Sequence, residues 1–272
     1  MTKDFENYLR KLNLADNTIA SYSFAVRQFY SHHQSVTQKN LRTHKTWLID
    51  HYKPKTVNLR IRALNSYLEY TGCEKWKLSS IRIQQKTFLE NVISEADYEY
   101  FKTCLKNDHE LFWYFVIRFM AATGVRVSEL VQIKAEHVKL GHLDLYSKGG
   151  KLRRIYFPKM LQEEALSWLA SRQQESGFIF LNQQGHRITT RGISCQLKKL
   201  AVRYHIDPSV VYPHSFRHRF AKSFLNECND IAFLADLMGH ESIETTRIYL
   251  RKTSSEQHDL IDTLIVWERK RH

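Results

Sequence analysis

Apolar residues recur three and four positions apart through residues 1–72, which is the spacing that lines one face of an α-helix. The pattern predicts four short helices. Residues typical of helix N-caps occur at Asp16–Thr18 and at Thr37 and mark the starts of the second and third helices. The fourth helix begins near Pro54 and ends at Gly72. The predicted inward positions include Phe5, Leu9, Leu12, Ile19, Phe24, Val26, Phe29, Leu41, Leu48, Ile49, Val57, Ile61, Leu64 and Leu68. We therefore expect a helical bundle over this part of the chain.

The polar face of the fourth predicted helix carries a mixed set of basic, hydroxyl and amide side chains: Lys55, Thr56, Asn58, Arg60 and Arg62. Basic groups suit contacts with a phosphate backbone, and amides suit base edges in a groove. We expect this face to contact DNA. An ordinary solvated helix face is the alternative.

The helical period is lost over residues 73–92, where several basic residues interrupt the pattern. Loss of periodicity between two patterned regions is typical of an interdomain linker. We expect a helical domain over residues 1–82, a linker over residues 83–92 and a second domain over residues 93–272.

The second domain mixes helical patterns with one hairpin pattern. The predicted elements are a helix capped at Ser94, an apolar helix over Leu111–Ala122 that breaks at Gly124, strands over His142–Tyr146 and Leu152–Phe157 joined by a glycine-containing turn, a helix over Leu161–Leu169, a strand over Phe178–Leu181 and a helix capped by Thr189 or Thr190. A last amphipathic helix with Leu260, Ile261, Leu264, Ile265 and Trp267 is predicted after Tyr249. The predicted fold class is mainly α with a small β-sheet (α+β).

The stretch from Pro213 to Tyr249 gathers groups that can handle an anion. His214, Arg217 and His218 are three and four residues apart, so they share one helix face. A second helix over Ile231–Met238 should end at Gly239, a residue typical of C-caps, and turn the chain at His240. Imidazoles, a guanidinium and the Tyr249 phenol suit a phosphate-like group. An ordinary solvated helix face is the alternative.

Zinc is a second interpretation of the same helix. His214 and His218 have the four-residue spacing of metal-binding helices, but the sequence lacks the glutamate of an H-E-x-x-H helix. We expect no metal at this site.

The chain is basic, and the excess of basic residues is concentrated in its first third. The chain has 272 residues and a formal net charge of +13, and residues 1–88 carry 15 Lys and Arg against 6 Asp and Glu. A folded basic segment of this kind indicates a polyanion-binding surface, with nucleic acid as the leading candidate. A soluble basic protein without such a partner is the alternative.

The cysteines and the apolar runs bear on the compartment. Cys73, Cys104, Cys195 and Cys228 show no metal-ligand spacing and are typical of reduced thiols. The chain opens with charged residues rather than a signal-peptide apolar region, and its longest apolar run is too short to span a membrane. We expect a cytoplasmic protein with no membrane partner.

Four strings in order give these residues a family context: TGVRVSEL around Arg126, the SKGGK turn, PHSFRHRFA and LMGHESIETTRIY. Together they resemble the tyrosine recombinase (phage integrase) family, including the Xer-like enzymes. The N-terminal LADNTIASYSFAVRQF is similar to a core-type DNA-binding domain, so the resemblance covers essentially the whole chain. It implies a minimal two-domain form, with an N-terminal helical bundle and a mixed catalytic domain that clamp duplex DNA.

The resemblance implies roles for single residues. Tyr249 matches the nucleophile that forms a 3′-phosphotyrosine. Arg126 and Arg217 match the arginines that hold the scissile phosphate. His214 and His240 match the histidines around that phosphate. Lys148 matches the hairpin lysine that protonates the leaving 5′-oxygen. Lys151 is an alternative, because this turn departs from the common Gly-Lys-Gly pattern, and Arg153 and Arg154 are expected to contact the DNA backbone together with Lys151.

These residue types fit metal-free phosphoryl transfer. Fixed guanidiniums stabilise the charge that builds on the nonbridging oxygens, and the covalent intermediate stores the bond energy, so that no cofactor is expected. The implied partners are double-stranded DNA with a specific recombination site, other copies of the chain in a homo-tetramer on two DNA sites, and accessory DNA-bending proteins. The outcome would be integration, excision or inversion of a DNA segment.

Three other functions remain open from the residues alone. They are a non-catalytic DNA-binding accessory protein of a mobile element, an enzyme like the type IB topoisomerases, and a zinc-dependent hydrolase. The first would not need a nucleophile, and the N-terminal similarity to Xer-like enzymes disfavours the second.

Overall fold

The computed structural model describes residues 2–83, 91–146, 152–240 and 242–250, together with residues 258, 261 and 262. The chain divides into two compact units, Met1–Gln85 (the first unit) and Lys86–His272 (the second unit). Most of the predicted linker lies outside the described residues, and the predicted boundaries 1–82, 83–92 and 93–272 stay predictions.

The first unit is a bundle of four helices, as the apolar pattern predicts. They are α1 (Thr2–Lys11), α2 (Asp16–His32), α3 (Gln38–His51) and α4 (Pro54–Tyr70). The side chain of Thr37 caps α3 by accepting a hydrogen bond from the Asn40 amide at 3.1 Å, and Pro54 opens α4. By contrast, α2 begins after Ala15 without a side-chain cap.

Three predicted core positions of the bundle are wrong. Leu12, Phe24 and Ile49 are 48%, 46% and 45% exposed. Leu12 follows the last residue of α1, Lys11. Phe24 lies about 140° around α2 from the buried Ile19, on the opposite face, and the guanidinium of Arg60 covers its ring at 4.4 Å. Ile49 follows Leu48, which already occupies the inward stripe of α3.

After α4 a short 3₁₀ turn (Glu74–Trp76) leads into an irregular segment that two asparagines of α4 hold in place. The Asn65 amide group donates to the Leu78 carbonyl and its oxygen accepts from the Leu78 amide. Asn58 makes the same pair of bonds with Ile81, each at 2.9 Å. Part of the polar face of α4 is therefore used inside the unit.

The second unit is mainly helical with one small sheet, which confirms the predicted fold class. Its elements are α5 (Glu95–Asn107), α6 (Leu111–Thr123), α7 (Val127–Leu130), α8 (Ala135–Leu140), β1 (His142–Tyr146), β2 (Leu152–Tyr156), α9 (Lys159–Ser171), α10 (Thr190–Arg203), α11 (Pro213–Glu227), α12 (Ile231–Met238) and α13 (Ile243–Thr246), followed by a 3₁₀ turn (Arg247–Leu250). Ser94 and Thr189 cap α5 and α10, as predicted.

The core of the second unit forms around α6, which is buried on nearly every side and packs against α5, α9 and α11. Strands β1 and β2 pair antiparallel, with Leu143 opposite Ile155 and Leu145 opposite Arg153. These four residues share the inner face of the hairpin, because paired residues lie on the same side of a sheet.

The predicted strand over Phe178–Leu181 is wrong. The chain there makes only isolated bridges, between Lys134 and Phe178 and between Leu181 and Arg187, among the residues that the structure describes. Ile179 and Phe180 are consecutive and both fully buried, so the chain crosses the core instead of lying along a partner strand.

The predicted last helix, built on Leu260, Ile261, Leu264, Ile265 and Trp267, lies outside the described residues except for Ile261, which is exposed. Within the described ranges, no helix combines the length and the apolar character needed to cross a membrane.

Candidate active site

The end of α12 is the point to which three arginines converge. Three consecutive carbonyl oxygens each accept a hydrogen bond from a different guanidinium: Leu237 from Arg153 Nε at 2.8 Å, Met238 from Arg217 Nη2 at 2.7 Å and Gly239 from Arg126 Nη2 at 2.9 Å. The last carbonyls of a helix lack partners within the helix and carry partial negative charge, so cations are favourable there. This helix end therefore fixes all three guanidiniums.

Arg217 is the most enclosed of them, at 2% exposure on α11. Its Nη1 donates to the carbonyl of Gly124, where α6 ends in a left-handed turn with φ of +62°, and its Nη2 lies 3.1 Å from His240 Nε2. Burial, and then the positive charge of Arg126, lower the pKa of Arg217 to about 10. The guanidinium therefore stays charged at neutral pH.

Arg126 stands at the start of α7 and is oriented by Glu129, one helical turn further on. Its backbone amide donates to Glu129 Oε2 and its Nη1 donates to Glu129 Oε1, both at 2.8 Å. Burial raises the pKa of Glu129, but Arg153 and Arg126 outweigh it and hold the pKa below its usual value. Arg126 keeps about a third of its side chain exposed, so it can reach a ligand.

His240 follows directly after the α12 turn, and its hydrogen bonds assign its neutral tautomer. Arg217 can only donate, so His240 Nε2 is the acceptor of their contact, and Nδ1 carries the proton toward Thr246 Oγ1 at 2.8 Å. Burial and the charges of Arg217, Arg126 and Arg153 lower the pKa of His240 to about 4. The imidazole is therefore neutral at neutral pH.

Tyr249 is 6% exposed in the 3₁₀ turn after α13. Its ring stacks on the ring of His240 with centroids 6.2 Å apart and an angle of 13°, and the ring of His218 lies 5.3 Å away on another side. Burial raises the pKa of the Tyr249 phenol, while the neighbouring guanidiniums of Arg217 and Arg126 act in the opposite direction. The phenol is thus enclosed beside two cations.

His214 lies on the same face of α11 as His218, with their ring centroids 6.2 Å apart, and it is exposed. Desolvation, and then Arg217 and Arg126, lower its pKa. Four of the predicted site residues, Arg126, Arg217, His240 and Tyr249, are thus joined by contacts, with His214 beside them. Lys148 and Lys151 lie outside the described residues.

The two arginines of β2 have different environments. Arg154 is exposed and forms two hydrogen bonds with Asp144, both at 2.7 Å. Arg153 is only 11% exposed and donates to Glu129 Oε1 at 2.8 Å. DNA contact stays a prediction for both, but only Arg154 has its guanidinium at the surface.

The predicted DNA face of α4 is likewise divided. Lys55 and Arg62 are exposed, whereas Arg60 donates to the Ser21 carbonyl at 3.3 Å and Asn58 is bound to Ile81. Lys55, Thr56 and Arg62 are therefore the residues of this set that remain available, and DNA contact stays a prediction for the whole set.

Sequence reasoning missed Glu129, Thr246 and the inward position of Arg153. The alternation of side chains along β2 could have predicted the inward position of Arg153, because residues two apart on a strand lie on the same face and Ile155 is buried. Thr246 is fully buried and becomes visible only as the partner of His240. Among the described residues, no group of three or more His, Cys, Asp and Glu side chains is arranged to hold a metal ion.

The chain is similar to a known protein family and to individual members of it. The phage integrase family matches residues 91–256, more than half of the sequence. Tyrosine recombinase XerA of Pyrococcus furiosus is 28% identical over 278 residues, covering 97% of this chain and 95% of that protein. Tyrosine recombinase XerD of Vibrio cholerae is 27% identical over 279 residues, covering 90% of this chain and 91% of that protein.

Solved structures share the fold. The Tn1549 transposon integrase in complex with transposon right end DNA aligns with a TM-score of 0.70 at 18% identity, covering 97% of this chain and 99% of that one. The XerH site-specific recombinase bound to its difH substrate aligns with a TM-score of 0.70 at 20% identity, covering 98% of this chain and 84% of that one. The chain belongs to the phage integrase family, the tyrosine recombinases.

Proposed function

We propose that this tyrosine recombinase cleaves and rejoins double-stranded DNA at a specific site through a 3′-phosphotyrosine intermediate formed on Tyr249. The observation that carries the proposal is the enclosed Tyr249 phenol, stacked on His240 beside the buried Arg217. A buried phenol beside two fixed guanidiniums is suited to attack on a phosphate, because the same cations stabilise the anionic transition state.

In this proposal Tyr249 Oη attacks the phosphorus and the bond to the 5′-oxygen breaks. Arg126 and Arg217 hold the nonbridging oxygens. Both guanidiniums are already fixed by carbonyl groups of the second unit, so little reorganisation is needed when the phosphate enters. Rejoining reverses these steps, with a 5′-hydroxyl as the nucleophile.

Two protons must move. The phenol loses one, and its raised pKa makes a nearby acceptor necessary. His214 has a lowered pKa and is therefore unprotonated at neutral pH, so it is the proposed acceptor. The acceptor nitrogen of His240 is already bound to Arg217. The leaving 5′-oxygen gains the other proton, and Lys148 is the proposed donor, with Lys151 as the alternative.

We infer the partners from the related structures. Those proteins are described as bound to transposon right end DNA, to a difH substrate and, for the lambda integrase, as a tetramer on a Holliday junction. The proposed assembly of this chain is a homo-tetramer on two recombination sites, assisted by accessory DNA-bending proteins, in the integration, excision or inversion of a DNA segment.

The test starts by selecting bound DNA from a randomised duplex library with Tyr249→Phe. The selected site is then built as a nicked suicide substrate, incubated with wild type and with Tyr249→Phe in the presence of a chelator, and examined on a denaturing gel. We expect a covalent adduct with wild type alone.

Other outcomes favour the other candidates. If both proteins bind the selected site and neither forms an adduct, the chain is a DNA-binding accessory protein. If wild type forms adducts on any sequence and relaxes supercoiled plasmid without recombining it, the chain acts as a type IB topoisomerase does.

A further inference from the structure

Arg153 differs from its neighbour Arg154 in a way that a shared DNA-contact role does not explain. Both are on β2, but the Arg154 side chain is 41% exposed and pairs with Asp144 at the surface, whereas the Arg153 side chain is 11% exposed on the inner face of the hairpin. A guanidinium is costly to bury, so its position requires strong compensating contacts.

The contacts of Arg153 all belong to the machinery around Arg126. Its Nη1 binds Glu129 Oε1 at 2.8 Å, the same oxygen that Arg126 Nη1 binds at 2.8 Å. Its Nε binds the Leu237 carbonyl, one residue before the carbonyls that receive Arg217 and Arg126. Arg153 therefore links two groups, the Glu129 carboxylate and the end of α12. The carboxylate orients Arg126, and the helix end orients both Arg126 and Arg217.

The surrounding backbone is shaped for this side chain. A Cβ added to Gly239 would lie 2.8 Å from Arg153 Nε and closer still to its Cδ, so a glycine is needed where the arginine passes. Arg153 Nη2 is buried without a hydrogen-bond partner in the described part of the chain. Burial, more than any other cause, lowers the pKa of Arg153, and Glu129 opposes the change.

We propose that Arg153 is a positioning residue of the active site rather than a DNA contact. By sharing Glu129 Oε1 it prevents Arg126 from being neutralised by that carboxylate alone, and by holding the end of α12 it keeps Arg126 and Arg217 aimed at the phosphate. The inference rests on the proposed function, because the step that it supports is the attack of Tyr249.

The test separates binding from cleavage. DNA affinity is measured across a range of salt concentrations, and the single-turnover rate of adduct formation is measured at saturating protein, for wild type, Arg153→Gln, Arg153→Lys and Arg154→Gln. Arg203→Gln is the matched control, because Arg203 also pairs with two carboxylates of the second unit, Asp108 and Glu110, away from the site. Thermal melting checks that each variant is folded.

We expect Arg153→Gln to bind DNA within about twofold of wild type with an unchanged salt slope, and to form adduct about 10- to 100-fold more slowly. Arg153→Lys should form adduct faster than Arg153→Gln but more slowly than wild type, since lysine restores the positive charge without the several N–H donors of the guanidinium. Arg154→Gln should show its defect in binding, with a salt slope smaller by about one. Arg203→Gln should match wild type in both measurements.

A double variant tests the route through Glu129. If Arg153 acts through the carboxylate, Arg153→Gln with Glu129→Gln should be no slower than the slower single variant. Rate losses that multiply would overturn the proposal, as would weaker binding and a smaller salt slope for Arg153→Gln with an unchanged saturated rate. A wild type that forms no adduct would overturn the proposed function itself and this inference with it.

Discussion

Gly239 adopts a left-handed backbone conformation, with φ of +61°, between the last turn of α12 and His240. L-residues with a side chain adopt this region at a cost, and here a Cβ would also meet Arg153. We expect Gly239→Ala to lower the free energy of unfolding by about 2 kcal/mol or more and to slow adduct formation, because the Arg126 and Arg217 acceptors would shift.

The matched control for Gly239→Ala is Gly177→Ala. Gly177 has a φ of +78° but nothing within 4 Å of an added Cβ, so it isolates the backbone cost. Chemical denaturation and single-turnover cleavage measure the two effects. Equal destabilisation by both variants, or a wild-type cleavage rate for Gly239→Ala, would contradict the steric argument.

Arg217 illustrates why a guanidinium cannot be replaced by another cation. Its two terminal nitrogens reach the Gly124 carbonyl, the Met238 carbonyl and His240 at once, which a single ammonium group cannot do. We expect Arg217→Lys to bind DNA but to form adduct about 10²- to 10³-fold more slowly, the usual size of losing one preorganised donor. Single-turnover kinetics at saturating protein measure the rate.

Arg219→Lys is the control on the same helix. Arg219 pairs with Glu95 at 2.5 Å and covers the Tyr98 ring at 4.0 Å, away from the site. We expect an unchanged cleavage rate for this variant. A comparable loss in both variants would mean that α11 had been destabilised rather than the site.

At the residue scale the sequence identifies the groups whose chemistry is distinctive and misses those defined by a partner. Arg217, His240 and Tyr249 belong to motifs with characteristic spacing, and they come together as expected. Glu129 is an ordinary helix glutamate until Arg126 and Arg153 are both placed beside it. The contact with Arg153 joins residues 24 positions apart in the chain, which periodicity does not encode.

At the scale of elements, α4 of the first unit shows how a polar helix face can serve the fold itself. Asn58 uses its amide on both backbone groups of Ile81. We expect Asn58→Leu to destabilise the protein by about 1–3 kcal/mol, the cost of leaving partly buried backbone groups unpaired. Chemical denaturation measures the loss, and Lys55→Gln, an exposed change on the same helix, should leave stability unchanged.

A buried histidine gives the first unit a pH dependence. His44 of α3 is 1% exposed, neither ring nitrogen has a hydrogen-bond partner in the described structure, and Phe29, His32, His33 and Trp47 surround its ring. Burial, followed by repulsion from His33 and His32, lowers the pKa of His44 to about 4. The unfolded chain, with an ordinary histidine pKa near 6.5, therefore binds the proton more tightly.

The sign follows from this difference. Between pH 6.5 and 4 the unfolded state is protonated at His44 and the folded state is not, so stability falls as the pH falls through this window. We expect the opening free energy of α3 to drop by about 2 kcal/mol between pH 7.5 and 5. Hydrogen exchange of α3 amides, corrected for intrinsic rates, measures it, and His44→Met should flatten the profile.

Helix prediction succeeded where one apolar stripe faces one core, as in α1–α4 and α12. Strand prediction failed at one buried segment. The segment at Ile179 and Phe180 is extended and apolar but crosses the core with isolated bridges only, so its composition alone indicated a strand. Whether such a segment pairs as a strand depends on how the helices and strands around it pack.

At the scale of the whole molecule, the uneven charge sets the expected behaviour on DNA. Residues 1–88 carry 15 Lys and Arg against 6 Asp and Glu, and the whole chain carries a net charge of +13. Each phosphate neutralised by a cation releases counterions, so the logarithm of the association constant should fall linearly with the logarithm of salt concentration, by about 0.9 per contact.

The exposed cations of α4 provide the decisive variants. If Lys55 and Arg62 contact phosphates, Lys55→Gln and Arg62→Gln should each reduce the salt slope by about one and weaken binding similarly on every sequence. Lys102→Gln is the charge-matched control, because Lys102 pairs with Glu99 at 2.6 Å in the second unit. Fluorescence anisotropy on the selected site measures all three. Equal slopes for the α4 variants, the control and wild type would identify the polar face of α4 as a solvated surface, and the DNA contacts of the first unit would then have to come from its other basic residues.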